Sequence, residues 1–262
     1  MAAFLETLYL RYNDTHWLDP DPLLIVRRYT EAADMELVGL VASALALGTV
    51  KAIMAAVETV LLPFGPHPAQ ALAAMDDSDV ESALHGFCYR FFDSGDMVSF
   101  FCAARNLSNR SGTLEKAFLE GDDGSEQDYS FVASRFVRSL LDAAPSGKTW
   151  RSNLFPDPAR GSAAKRVFLY LRWMVRHDAV DPGPWRNADP ARLVVPLDTH
   201  MAAACRRLGL LTRSSTDLKA AKEAAASFRE FCPDDPVRYD FCMTRPGIHP
   251  DLDPDLCLGC FD

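Results

Sequence analysis

Apolar residues recur at steps of three and four across residues 4–10, 23–29, 37–47, 53–62, 132–141, 167–175 and 201–208. That is the period of a helix with one buried face. Sustained strand alternation is absent, and Val-rich runs such as Leu193-Val-Val-Pro196 are cut by proline before a ladder could form. The expected class is therefore all-α. A length of 262 residues allows one or two domains with a full core. With 48% hydrophobic and 24% charged residues, disordered and fibrous classes are excluded. Loops are expected at 63–68, 121–125, 144–161, 178–196 and beyond 231, where Pro, Gly, Asp and Ser cluster.

Charge is unevenly spread along this pattern. The whole chain carries 27 basic and 36 acidic residues, a formal net charge of −9 that argues against an anionic partner. Residues 131–230 alone, however, hold 17 basic and 9 acidic residues, a local excess that would suit one basic face meeting an anionic surface. Solvated helix faces would explain the same count. The turn Gly121-Asp-Asp-Gly-Ser-Glu126 divides an acidic helical part, residues 1–125, from a basic part, residues 126–262. It is too short for a true linker, so two helical lobes in one intertwined globule, with a cleft between them, are expected.

The basic part contains two segments with chemical content. In Gly161-Ser-Ala-Ala-Lys165 a turn opens a helix, and amides at such a helix start can hold a phosphate. Along that helix Lys165, Arg172 and Arg176 fall near one face, while Val167, Leu171 and Met174 form the buried stripe. Further on, Val195-Pro-Leu-Asp198-Thr-His200 places Asp198 just before an apolar helix, which is N-cap chemistry and needs no further role to explain it. Cap and functional carboxylate both remain open on residue physics alone.

A resemblance sharpens the choice. The runs Gly161-Ser-Ala-Ala-Lys-Arg166, Leu171-Arg-Trp-Met-Val-Arg176, Asp181-Pro-Gly-Pro-Trp185, Pro196-Leu-Asp-Thr-His200, Arg207-Leu-Gly-Leu-Leu-Thr212 and Asp235-Pro-Val-Arg-Tyr-Asp-Phe241 resemble the bacterial family of unknown function 2400. Asp21-Pro-Leu23, Tyr89-Arg-Phe-Phe92 and Gly112-Thr-Leu-Glu115 extend the likeness towards the N-terminus. The family in turn resembles, more distantly, the helix-hairpin-helix DNA glycosylases, and among them the archaeal 8-oxoguanine enzymes. There a Gly-x-Gly-x-Lys hairpin precedes a Val-Pro-Val-Asp-x-His segment. Gly161 to Lys165 and Val195 to His200 match these in order and kind, with Lys165 and Asp198 33 residues apart. Ala163 stands where the hairpin's second glycine would be.

The glycosylase resemblance implies a two-lobed helical fold and a base-excision enzyme with abasic-site lyase activity on an oxidised purine such as 8-oxoguanine. It implies Lys165 and Asp198 as the catalytic pair. A lysine amine that attacks deoxyribose C1′ must be neutral, and a neighbouring carboxylate can take up the proton or stabilise developing positive charge. Gly161, Ser162 and His200, with Arg166 and Arg172, are the expected phosphate contacts. The expected partner is double-stranded DNA carrying a damaged base, bound by a monomer. Trp173, Trp185 and Phe168 are aromatic candidates for a base pocket but read first as core. The alternatives are a nucleic-acid-binding module that has lost catalysis, for which Ala163 is the motive, and a helical protein-interaction module, consistent with the negative net charge.

Seven cysteines and a start without a basic secretory region point to a reducing cytoplasm. The most apolar stretch, residues 37–50, is uncharged for 14 residues, short of the roughly 20 that span a bilayer. Cys232, Cys242, Cys257 and Cys260 are the candidate set for zinc or an iron–sulfur cluster. Their wide, uneven gaps read instead as free thiols, so no metal or cofactor is expected.

Overall fold

The apolar run that begins at Leu37 builds the helix on which the rest of the molecule packs. In the computed structural model, which describes residues 1–249 and 251–252, this is α3 (Ala32–Ala44). Leu37, Val38, Leu40, Val41, Ala42 and Ala44 are all buried, so α3 is apolar around its circumference, as a central helix must be. Alongside it runs α10 (Lys165–Val175), whose Val167, Phe168, Tyr170, Leu171, Trp173 and Met174 are buried. Gly39 permits the close approach: a Cβ there would stand 2.7 Å from Met174 Cε.

Around this pair lie α1 (Ala2–Tyr12), α2 (Leu23–Val26), α4 (Val50–Leu61), α5 (Pro68–Ala74), α6 (Asp77–Ala83), α7 (Ser94–Ser111), α8 (Leu114–Leu119), α9 (Ser130–Asp142), α11 (Thr199–Arg207), α12 (Leu218–Arg229) and α13 (Asp240–Thr244). The class is all-α. The one sheet among the described residues is a hairpin of β1 (Cys88–Tyr89) and β2 (Phe92–Asp93). Six helices, α5, α6, α7, α8, α12 and α13, escape the apolar-period reading. Helix α7 is rich in Ser, Arg and Asn and is started by a reciprocal cap between Asp93 and Asp96. Helix α12 buries mainly alanines, and α13 is a short helix in a segment expected to be loop.

A buried carboxylate joins the central helix to its neighbours. Glu36 accepts the Leu114 and Glu115 amides at 3.1 and 2.9 Å, capping α8, and the Trp185 indole N–H at 2.7 Å. Burial pushes the Glu36 carboxyl above its ordinary range, against the lowering effect of those donors. Trp185 stacks on Phe118 with ring centres 5.2 Å apart and meets Tyr170 edge-on, so it is a core residue. At the chain ends, α1 packs on α13, and Arg238 lies 3.8 Å over the Tyr9 ring. Helices of the acidic and basic parts thus share one interface. Among the described residues no helix is long and apolar enough to cross a membrane.

Candidate active site

The two chemically suggestive segments meet. Pro196 and Leu197 deliver the chain to Asp198 in an extended conformation, and α11 starts at the next residue. Asp198 Oδ1 accepts the Met201 amide at 2.8 Å, the expected N-cap. Its other oxygen, Oδ2, stands 2.8 Å from Lys165 Nζ. Cap and ion pair therefore coexist on one carboxylate, using different oxygens. The cap fixes the rotamer that aims Oδ2 at the lysine.

Lys165 is presented by a turn rather than by an ordinary helix start. Gly161 is left-handed at φ +87°, and the Leu218 amide donates to its carbonyl at 3.0 Å, tying the turn to α12. Ala164 is also left-handed, at φ +43°, and precedes the first helical residue. Ala163, standing at the hairpin's second glycine position, has no positive φ, so a glycine is not required there. The strain falls one residue later, on a side chain small enough to bear it. Gly161, Ser162 and His200 are exposed beside the pair.

Lys165 and Asp198 line a cavity of about 640 Å³. Their side chains are 38% and 21% exposed, which places them at its mouth. Its apolar walls include Leu47, Ile53, Trp173 and Phe241. Of the three aromatic candidates only Trp173 lines it; Phe168 and Trp185 belong to the core alone. Its lining is also polar, with the buried Arg172, Asp240 and Arg245 and the partly exposed Asp21. Burial raises the Asp21 and Asp240 carboxyls above their ordinary range, and Arg172, 2.6 Å from Asp240, offsets only part of that rise. The Arg245 guanidinium, buried near Asp21, is pulled down chiefly by desolvation, and its Nε has no partner. For Asp198 burial also raises, but Lys165 and the Met201 amide outweigh it, and the carboxyl is held below its ordinary range.

Two expected phosphate contacts are corrected. Arg172 is 4% exposed and grips Asp181 with two nitrogens at 2.9 and 3.1 Å while a third reaches Asp240. Arg176 is committed to Asp181, Asp178 and Asp235 in the same cluster. Arg166 donates to the Ala44 carbonyl at 3.0 Å and lies over Phe92, and burial lowers its pKa to about 10. These side chains tie α10 to its surroundings, Arg172 and Arg176 from within the core and Arg166 while partly exposed. Much of the basic surplus is spent likewise, as in Arg192 with Asp122 and Lys222 with Asp128.

Asp21, Asp240 and Arg245, which line the cavity together with Arg172, escaped the sequence reading. Asp21 and Asp240 lie inside motifs that signalled family resemblance without suggesting a role, and Arg245 lies shortly after Asp240. Of the four candidate metal cysteines, Cys257 and Cys260 lie outside the described residues. Cys242 is buried and its thiol donates to the Tyr239 carbonyl, while Cys232 is half-buried. No group of metal-ligating side chains forms among the described residues.

A family model described as protein of unknown function (DUF2400) matches residues 21–249. Neither the curated proteins nor the solved structures give a match.

Proposed function

The chain belongs to the DUF2400 family, which brings no activity with it, and on the strength of the site itself we propose that it is a DNA glycosylase with abasic-site lyase activity. The observation that carries the reading is the 2.8 Å approach of Lys165 Nζ to Asp198 Oδ2 at the mouth of a cavity of about 640 Å³. Such a volume lies within the usual range of ligand sites and suits a base turned out of its stack. Leu47 and Ile53 in the cavity wall offer an extruded base an apolar surface. An oxidised purine such as 8-oxoguanine is the substrate that the glycosylase resemblance suggests.

In this mechanism the Lys165 amine gives up a proton, for which Asp198 is the nearest acceptor. Nζ then attacks C1′ of the damaged nucleotide. The bond from C1′ to the base breaks, and the base leaves with the electron pair and a proton. Opening of the sugar gives a Schiff base between Lys165 and C1′. Loss of a C2′ proton then expels the 3′-phosphate by β-elimination, and water releases the lysine. Asp198 favours the first step by opposing the positive charge that develops on the sugar.

Borohydride trapping tests this directly. Purified protein is mixed with duplexes holding 8-oxoguanine, other oxidised or alkylated bases, or an abasic site, with Lys165→Gln alongside. A covalent adduct formed by the wild type and lost in the variant is the expected result. Wild type that forms no adduct on any of these duplexes would sink the proposal. A second reading, a nucleic-acid-binding module without catalysis, draws on the alanine at 163, where the glycosylase hairpin has its second glycine. It expects salt-dependent duplex binding that is equal in wild type and Lys165→Gln. Absence of duplex binding at low salt would favour a protein-interaction role instead.

A further inference from the structure

The tip of the β1–β2 hairpin is built for contact outside the molecule. Pairing of Cys88 with Asp93 and Tyr89 with Phe92 leaves Arg90 and Phe91 as a two-residue turn. Arg90 takes φ +53°, a conformation that such turns need and that glycine normally supplies. An arginine is held there because the hairpin is anchored on every side. Phe92 is buried beneath the Arg166 guanidinium. The Tyr89 hydroxyl donates to the Leu47 carbonyl at 2.7 Å. The Arg90 guanidinium lies against Gly48 so closely that a Cβ at Gly48 would come within 2.6 Å of it.

Leu47 and Gly48 are wall residues of the Lys165–Asp198 cavity, so the hairpin is fastened to the cavity's rim. The residue it leaves outside is Phe91, 62% exposed. Other exposed apolar side chains, Leu10, Leu62 and Phe131, stand singly on helices or at a helix end, and Met1 is the first residue; they need no special account. Phe91 differs in being held on a rigid, strained turn beside a cavity that would accept an extruded base. Extrusion leaves a gap in the stack that costs a few kcal/mol of lost stacking, and apolar side chains can occupy such a gap.

We infer that Phe91 is a wedge that enters the base stack of a DNA duplex at the gap left by the extruded nucleotide, with Arg90 and Gly48 fixing its position. This rests on the glycosylase reading and adds the residue that keeps the duplex open. Phe91 is a positioning residue: it touches the neighbouring bases and not the reacting atoms.

The test uses full-length protein and two duplexes of one sequence, one intact and one with a tetrahydrofuran abasic-site analogue flanked by 2-aminopurine. The analogue gives Lys165 no aldehyde to attack, so binding is read apart from chemistry. Wild type is expected to change the 2-aminopurine fluorescence. Phe91→Ala is expected to bind the gapped duplex about tenfold more weakly, to bind the intact duplex as before, and to lose the fluorescence change. Phe91→Trp is expected to restore affinity, with its own emission quenched on binding. A thermal melt of each variant checks folding. Unchanged affinity and fluorescence with Phe91→Ala overturns the wedge; if the adduct with Lys165 still forms, the enzyme reading stands without it. Wild type that neither binds a duplex nor forms an adduct overturns both.

Discussion

Lys165 and Arg172 lie on the same helix, and each meets an aspartate within 3 Å, yet their surroundings differ. Lys165 has one acidic partner and a side chain 38% exposed at a cavity mouth. Arg172 is enclosed with Arg176 among Asp178, Asp181, Asp235 and Asp240. Both arginines are held firmly protonated, because the surrounding carboxylates outweigh the desolvation that opposes charge. Burial separates the roles. An enclosed network with its hydrogen bonds made resists change and fixes α10 against the 178–183 segment and α13. A half-exposed pair gains little stability but leaves its amine within reach of a ligand. Asp240 joins the two regions, since it pairs with Arg172 and also lines the cavity.

The contrast can be broken in four ways, the largest effect first. Lys165→Gln should remove the trapped adduct altogether while costing less than about 1 kcal/mol in a denaturant titration, because the pair is partly solvated. Asp181→Ala should do the reverse. It strips both arginines of a shared, fully buried carboxylate and should cost about 3–5 kcal/mol of unfolding free energy; a loss below 1 kcal/mol would show that the network is not structural.

Asp198→Asn separates cap from charge, since asparagine caps as well as aspartate. Adduct formation should slow by about 10²–10⁴-fold, the usual contribution of a positioned acid or base. Asp198→Ala should lose a further ~1 kcal/mol of stability with the cap, and equal melting of the two variants would break that separation. The smallest effect concerns pH. The Asp198 carboxyl is lowered in the folded protein, so its stabilising contribution is complete above the unfolded value of about 4 and fades as pH falls through the folded one. The stability difference between wild type and Asp198→Asn should hold steady at pH 5–8 and close below about pH 4. A gap that instead closed as pH rose would contradict the assigned sign.

What was legible in the sequence follows a physical division. Helical class came from apolar spacing, because a buried stripe imposes its period on every stretch that forms one. Segments such as α7, whose buried Met97, Phe100, Phe101, Ala104 and Leu107 are interspersed with Ser, Arg and Asn, escaped that reading. Lys165 and Asp198 were legible as a pair through their motifs, and the cap on Asp198 through its approach and the helix after it. The same reading treated Lys165, Arg172 and Arg176 as one basic face, which their spacing along the helix allowed.

Only tertiary packing decided that the first of these would face a cavity while the others sank into carboxylates supplied by 178–181 and 235–240. Local spacing depends on neighbours a few residues away and is written in the chain. The fate of a charge depends on what distant segments bring to it and on how much water they exclude. For the same reason apolar spacing determined the helical class, whereas the candidate pair was named by the resemblance of two motifs to the glycosylases. Packing decided that Arg166 turns inward, that the buried Asp240 and Arg245 line the cavity, and that Phe91 stands exposed on a hairpin fastened to the cavity wall at Leu47.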